Sequence, residues 1–123
     1  MPNKITLAHF NSDEGSLRVF EGLMPGCIKR VYYITDVPSD TIRGGHRHHT
    51  TWQALVCIKG SCRVYVHDGV SEQEFMLNKP DVCLLLEPKD WHTMDNFSQD
   101  AILLVMANEV YDVNDYIDEP YTL

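Results

Sequence analysis

The sequence has little positive charge and no long apolar segment. Ten lysines and arginines stand against eighteen aspartates and glutamates, so the formal net charge is -8. This excess of negative charge argues against nucleic acid or an anionic membrane as a partner. No run approaches the roughly 20 apolar residues that a membrane helix needs, and the N-terminus has no apolar secretory core. We therefore expect a soluble cytoplasmic protein without a nucleic-acid or membrane partner.

Cysteine is present, but not in the spacing of a metal or redox motif. The four cysteines, at positions 27, 57, 62 and 83, form no C-x-x-C pair. Cys57 and Cys83 lie within apolar runs, which favours buried free thiols over disulfides or metal ligands.

Helical periodicity is also missing from every long segment, and short apolar or alternating runs broken by turn residues take its place. Predicted strands span residues 4–10, 16–23, 29–35, 51–58, 61–67, 72–77, 82–86, 91–97 and 101–107. The continuous apolar run at 82–86 is typical of a strand buried on both faces. Such a strand count predicts an all-β barrel or jelly roll, because closure removes exposed sheet edges. We expect a single domain over residues 1–123, with a short helical turn possible in the acidic, aromatic tail.

Three of the six histidines fall within four consecutive positions, as His46, His48 and His49. If this segment is extended, side chains two residues apart share a face, so that His46 and His48 point together and Arg47 points away. Two imidazoles that face one space can hold a metal or can transfer protons. The residues alone leave both possibilities open.

The histidine pair begins a longer pattern. Gln53 follows His48 after four residues and Gly60 follows after six more, which resembles the first cupin motif, H-x-H-x(3,4)-E-x6-G. Residues 88–96, which contain His92, resemble the second motif, P-x-G-x2-H-x3-N. Cupins are small double-stranded β-helix barrels, so the resemblance implies the fold that the strand count predicts independently. Metal-binding cupins use three histidines and one glutamate, and the neutral Gln53 is a weaker ligand than a carboxylate.

Five segments, in this order, resemble the sugar 3,4-ketoisomerases, which are WxcM-like cupins that act on dTDP-4-keto-6-deoxyglucose. They are residues 28–34 (IKRVYYI), 43–48 (RGGHRH), 60–64 (GSCRV), 91–94 (WHTM) and 111–117 (YDVNDYI). The resemblance spans residues 15 to 116. Members of this family usually read R-G-x-H-A-H-K, so Arg47 and His49 replace an alanine and a lysine here.

The resemblance implies an isomerase without metal or cofactor, which moves the ketone from C4 to C3 of a dTDP-4-keto-6-deoxyhexose in deoxysugar biosynthesis for surface polysaccharide. A base removes the C3 proton to form an enediol and a proton returns at C4; imidazole suits both steps because its pKa lies near working pH. His46 and His48 would be catalytic, with His48 as the carbon base and His46 as the oxygen shuttle. A homodimer is implied, in which residues 1–23 exchange strands. The implied substrate-binding residues are Tyr33, Arg43, Gln53 and His92.

Two other functions remain open at this point. A metal-dependent cupin, such as a dioxygenase or sugar epimerase, would use His46, His48, Gln53 and His92. A non-catalytic cupin would bind a nucleotide sugar without turnover. His92 is equally compatible with a cavity wall and with a core histidine, and Gln53 could simply satisfy buried polar groups inside the barrel.

Overall fold

The computed structural model describes residues 2–122, within which β-strands are nearly the only regular secondary structure. The strands are β1 (Asn3–Thr6), β2 (Ala8–Ser12), β3 (Gly15–Val19), β4 (Arg30–Thr35), β5 (Arg43–His48), β6 (Gln53–Lys59), β7 (Cys62–His67), β8 (Glu72–Leu77), β9 (Val82–Leu86), β10 (Trp91–Asp95), β11 (Ile102–Ala107) and β12 (Tyr116–Ile117). A 3-10 helix at Val113–Asp115 lies in the tail, where the sequence predicts a helical turn. None of the helices among the described residues is long and apolar enough to cross a bilayer.

The strands form two five-stranded antiparallel sheets and one hairpin. The first sheet has the order β1-β9-β6-β11-β4 and the second has the order β12-β5-β10-β7-β8. Strands β2 and β3 form a separate two-stranded hairpin. Strands that are distant in the chain are therefore neighbours in each sheet, as in a jelly roll, and the all-β prediction is confirmed.

The main core lies between the two sheets, and a second apolar cluster covers the opposite face of the first sheet. The main core joins Leu55, Leu84 and Leu103 of the first sheet to Val64 and others of the second. The second cluster includes side chains from β6, β9 and β11, and residues of the N-terminal segment pack against it. Strand β9 is consequently buried on both faces, as its continuous apolar run predicts.

The predicted strand at 4–10 is divided in two by Leu7. The Leu7 side chain is buried, and its backbone N–H donates to the Asp81 carbonyl at 2.7 Å. The chain leaves the first sheet at this residue, since β1 pairs with β9 and β2 pairs with β3. The hairpin is exposed along its length, and its Phe10 and Leu17 side chains are 62% and 60% exposed.

The cysteines are free thiols, as predicted. Cys57, Cys62 and Cys83 are buried within the strands, whereas Cys27 is exposed in the segment before β4.

Candidate active site

The two histidines of β5 face the same space, which confirms the prediction from their spacing. The ring centroids of His46 and His48 are 5.1 Å apart. The third imidazole, from His92 on the neighbouring strand β10, has its centroid 5.0 Å from that of His46 and 6.4 Å from that of His48. His46 and His92 lie opposite each other in the β5–β10 register. Three imidazoles therefore share one end of the interior, where they can act together on a bound molecule.

The cavity beside these histidines has a volume of ≈ 160 Å³. Side chains from both sheets line it, so it lies inside the barrel. Its walls combine two guanidinium groups and two phenols with aliphatic side chains, and the residues that line it are Arg30, Tyr32, Ile34, Arg43, Gly44, His46, Gln53, Leu55, His92, Met94, Val105 and Tyr116. His48 is not among them, but its ring contacts both His46 and Tyr116. The arrangement offers cations for an anionic group and imidazoles for proton transfer.

A glycine pair brings Arg43 and His46 to the same cavity although they are three residues apart. The register between β5 and β10 shifts between His92 and Thr93, which inserts one extra residue into β5. Gly44 and Gly45 lie at φ values of +83° and +81°, which side chains with a Cβ rarely adopt. A Cβ on Gly44 would also meet the His92 carbonyl oxygen at 3.0 Å. The Gly-Gly step thus turns the strand so that the Arg43 and His46 side chains reach one site.

Tyr33, which is expected to bind the substrate, does not line this cavity. On β4 the side chains alternate, and Arg30, Tyr32 and Ile34 face the cavity. Tyr33 points outward and is 69% exposed. The sequence permits only one ring of the Tyr32–Tyr33 pair to face inward, and pairing of β4 with β11 places Tyr32 there.

Gln53 and Tyr32 hold each other in place across the cavity wall. The Gln53 side chain is only 3% exposed, and its Nε2 donates to the Tyr32 hydroxyl at 3.2 Å. Burial is the main cause that raises the pKa of Tyr32 above its ordinary value, so this phenol keeps its proton. Gln53 lines the cavity and also satisfies a buried polar group. Its position is therefore compatible with both interpretations from the sequence, substrate binding and a structural hydrogen bond.

His92 is both a buried histidine and part of the cavity wall. Its Nδ1 lies 3.0 Å from the Asp90 carbonyl oxygen, which can only accept a hydrogen bond. The proton of the neutral ring is therefore on Nδ1, and Nε2 carries a lone pair. Burial lowers the pKa of His92 to about 3, so the ring is neutral near pH 7.

The β5 histidines are also neutral. Burial is the largest cause that lowers the pKa of His48 to about 4, and the neighbouring His46 and Arg30 lower it further. The carboxylate of Asp115 acts in the opposite direction. Burial likewise lowers the pKa of His46, against a smaller effect of Asp118. The Nε2 of His48 is buried and has no hydrogen-bond partner among the described residues. Neutral imidazoles with a free lone pair are proton acceptors, so the site is suited to base catalysis.

Two further residues, Arg30 and Tyr116, line the site although they are not among the site residues expected from the sequence. The Tyr116 ring packs against His46 and His48, with a centroid separation of 4.7 Å in each case. The Arg30 guanidinium lies 4.4 Å from the centre of the Tyr32 ring and donates to the Tyr116 hydroxyl at 3.3 Å. Arg30 could have been found from the β4 alternation once Tyr32 was assigned to the inside, whereas nothing local marks Tyr116.

The candidate metal ligands do not form a metal centre by their geometry. Among residues 2–122, no group of three or more His, Cys, Asp and Glu side chains is arranged to hold a metal ion. Gln53 occupies the position where the cupin motif has glutamate. The metal-dependent alternative therefore gains no support from the arrangement of the described residues.

A comparison with known protein families matches residues 2–122 to FdtA, WxcM-like, C-terminal. The chain belongs to this family. A relative of this chain in Aneurinibacillus thermoaerophilus, a TDP-4-oxo-6-deoxy-α-D-glucose-3,4-oxoisomerase, is 47% identical over 94 residues, which cover 76% of this chain and 68% of the relative.

Solved structures agree with the family assignment and confirm the cupin-type barrel. A histidine-to-asparagine variant of a 3,4-ketoisomerase from Thermoanaerobacterium thermosaccharolyticum, in complex with TDP-4-keto-6-deoxyglucose, is 37% identical with a TM-score of 0.90 and covers 96% of this chain and 87% of its own. A TDP-quinovose 3,4-ketoisomerase from Campylobacter jejuni is also 37% identical with a TM-score of 0.90, and covers 96% of this chain and 92% of its own. The FdtA-family chain therefore shares its fold with 3,4-ketoisomerases.

Proposed function

We propose that this FdtA-family chain isomerises a TDP-linked 4-keto-6-deoxyhexose to the 3-keto sugar, by histidine acid–base catalysis through an enediol. The observation that carries the proposal is the cluster of neutral imidazoles, His46, His48 and His92, beside a cavity that two arginines line. Relatives that are 37% to 47% identical over most of the chain are 3,4-ketoisomerases of TDP-sugars. The chemistry of the cavity and the activities of its relatives support the same reaction.

The reaction requires one proton to leave C3 and one to arrive at C4. A neutral imidazole removes the C3 proton, which the adjacent carbonyl acidifies, and the electron pair flows into an enediolate. A proton moves between the two oxygens, and C4 is then protonated as the C3 ketone forms. No electron is gained or lost overall, so the side chains can supply every step. We assign the carbon base to His48 and the oxygen shuttle to His46.

The anionic part of the substrate fits the cationic side of the cavity. Arg43 is exposed at the cavity and Arg30 is partly buried beside it. A guanidinium can bind a diphosphate through two parallel hydrogen bonds. This local positive charge is needed because the chain as a whole carries a formal charge of -8. We place the diphosphate at Arg43, with the sugar extending toward Tyr32, Gln53 and His92.

The test is incubation with TDP-4-keto-6-deoxyglucose in deuterated water, followed by NMR of the sugar ring. The wild-type protein should yield the 3-keto sugar with deuterium at C4. A His46→Asn variant should exchange the C3 proton without moving the ketone, because the carbon base remains. A His48→Asn variant should do neither. Reversed results would exchange the two roles, and no deuterium in the ring with the wild-type protein would contradict the proposed reaction.

We further propose that residues 1–123 form a single cupin domain that assembles into a homodimer, with residues 1–23 exchanged between subunits. The exposed hairpin of β2 and β3, which pairs with no other strand among the described residues, supports this assignment. Light scattering should then give twice the chain mass of 14.1 kDa. A mass equal to one chain would contradict it. The product would serve the biosynthesis of deoxysugars for surface polysaccharide.

A further inference from the structure

The segment that contains β12 runs along the edge of β5 and contacts side chains on both faces of that strand. We call residues 111–121 the C-terminal strap. Within it, β12 pairs with β5 so that Tyr116 is opposite His48 and Ile117 is opposite Arg47. The His49 N–H also donates to the Asp115 carbonyl at 3.0 Å. A two-residue strand pairing is weak by itself, so the position of the strap depends on its other contacts.

Tyr121 fixes the end of the strap. Its hydroxyl donates to the Lys89 carbonyl at 2.7 Å. Its ring faces the buried His67, with the centroids 5.4 Å apart, and a Cβ added to Gly69 would lie 3.3 Å from it. The ring is thus seated between the strand β7, the turn that follows β7 and the loop before β10, instead of extending into solvent.

Arg47 of β5 contacts the strap at Tyr121 and Glu119. Its guanidinium carbon lies 4.3 Å from the centre of the Tyr121 ring, and its Nη1 donates to the Tyr121 hydroxyl at 3.3 Å. Its Nε donates to the Glu119 carbonyl at 3.4 Å. Arg47 therefore combines a cation–π contact with two hydrogen bonds to one short stretch of the strap. An alanine at this position could make none of these contacts.

The two faces of β5 are connected through the strap. Because side chains alternate along a strand, Arg47 points away from the cavity while His46 and His48 point toward it. The same alternation on β12 directs Tyr116 inward, where its ring contacts both imidazoles with centroids 4.7 Å away. A displacement of the strap would move Tyr116 relative to these rings, even though Arg47 itself is not among the cavity-lining residues.

We propose that Arg47 and Tyr121 form a latch that positions Tyr116 against His46 and His48, which makes Arg47 a positioning residue of the isomerase. The inference rests on the proposed function for its catalytic consequence, but the latch itself is a structural statement. On the other side of β12, the Asp115 carboxylate accepts from Thr50 and Thr51, and Arg30 donates to the Tyr116 hydroxyl. Without the latch, β12 is held from that side alone, and the Tyr116 ring can shift relative to the imidazoles. Catalysis is sensitive to such displacements, since a misplacement of about 1 Å can cost about 100-fold in rate.

The kinetic test uses Arg47→Ala, Arg47→Lys and Tyr121→Leu with TDP-4-keto-6-deoxyglucose. We expect kcat to fall about tenfold in Arg47→Ala and Tyr121→Leu, with KM changed by less than about twofold. Arg47→Lys should recover part of the loss, because lysine keeps the cation over the ring without the guanidinium fork. Arg18→Ala, which removes a surface ion pair to Asp81 remote in sequence from the strap, is the control and should match the wild-type protein.

A double variant tests whether Arg47 acts through Tyr116. If it does, Arg47→Ala combined with Tyr116→Leu should have the kcat of Tyr116→Leu alone, because the latch then has nothing left to position. Fully additive losses, or a change in KM without a change in kcat, would overturn the proposal. This comparison also distinguishes a latch from a general loss of stability, which would add to any other substitution.

Hydrogen exchange supplies a readout that does not depend on activity. In Arg47→Ala, peptides that contain the His49 amide and residues 116–117 should exchange at least about tenfold faster, while peptides of the core strands β6 and β11 stay unchanged. Equal protection of the strap in the variant and the wild-type protein would overturn the latch. If the wild-type protein showed no turnover, the proposed function would fail, and this exchange experiment would still decide the latch.

Discussion

Acid should destabilise this protein through its buried histidines, and the structure sets the size of the effect. The folded-state pKa values of His48 and His92, about 4 and about 3, lie below the ordinary histidine value, mainly because of burial. Between the ordinary pKa and these lower values the unfolded chain binds more protons than the folded chain, so stability falls as the pH drops. From pH 7.5 to pH 4.5 we expect each ring to cost on the order of 2 to 3 kcal/mol of unfolding free energy.

One buried carboxyl acts in the opposite direction. Burial raises the pKa of Asp90 to about 6, so the folded chain takes up this proton more readily than the unfolded chain. Over the same pH interval Asp90 should therefore raise the unfolding free energy by about 2 kcal/mol. The three groups together predict a net loss of about 3 kcal/mol at pH 4.5, a large fraction of the stability of an ordinary domain.

A His92→Asn variant isolates the histidine effect. We would measure the unfolding free energy by urea titration at pH 7.5 and pH 4.5, at one protein concentration. The variant should lose on the order of 2 to 3 kcal/mol less than the wild-type protein between the two pH values, whatever its stability at pH 7.5. Equal pH-dependent losses in wild-type protein and His92→Asn would refute the assignment of a neutral, buried imidazole.

Three further substitutions test the cavity and the fold. Tyr32→Phe removes a hydroxyl that faces the cavity, so kcat/KM should fall about tenfold in steady-state kinetics with the keto sugar. In the control Tyr33→Phe, which alters an exposed ring, kcat/KM should stay within about twofold of the wild-type value. Arg43→Lys keeps the charge but loses the fork, so KM should rise about tenfold with kcat little changed in the same assay. Gly60→Ala should lower the unfolding free energy by at least about 2 kcal/mol in urea titration, because Gly60 lies at φ +71° and a Cβ would come within 2.8 Å of the Ala101 Cα.

Periodicity predicted those features of the site that depend on one strand alone. The two-residue repeat was sufficient to direct His46 and His48 to one side, because β5 is extended through both residues. It was equally sufficient to recognise β9 as buried on both faces. These predictions need no knowledge of neighbouring strands.

Features that depend on pairing between distant strands could not be predicted in this way. Alternation implies that one ring of the Tyr32–Tyr33 pair faces inward, but the choice follows from the register with β11, about 70 residues later in the chain. Tyr116 reaches the histidines only because β12 pairs with β5, which the acidic local sequence does not indicate. The glycine step before His46 was visible in the sequence, but its effect on Arg43 depends on the bulge opposite β10.

The low basicity of the imidazoles and the cations of the cavity are connected under the proposed function. Burial is the main cause of the low pKa of His48, and the positive charge of Arg30 adds to it. A diphosphate bound at Arg43 would add negative charge to the cavity and offset the effect of Arg30, which favours the imidazolium. The pKa of His48 would therefore rise when substrate occupies the cavity. The imidazole would then hold the proton that it removes from C3 more strongly than in the free protein. In the free protein the same rings stay neutral, so the site is ready to accept a proton before the substrate arrives.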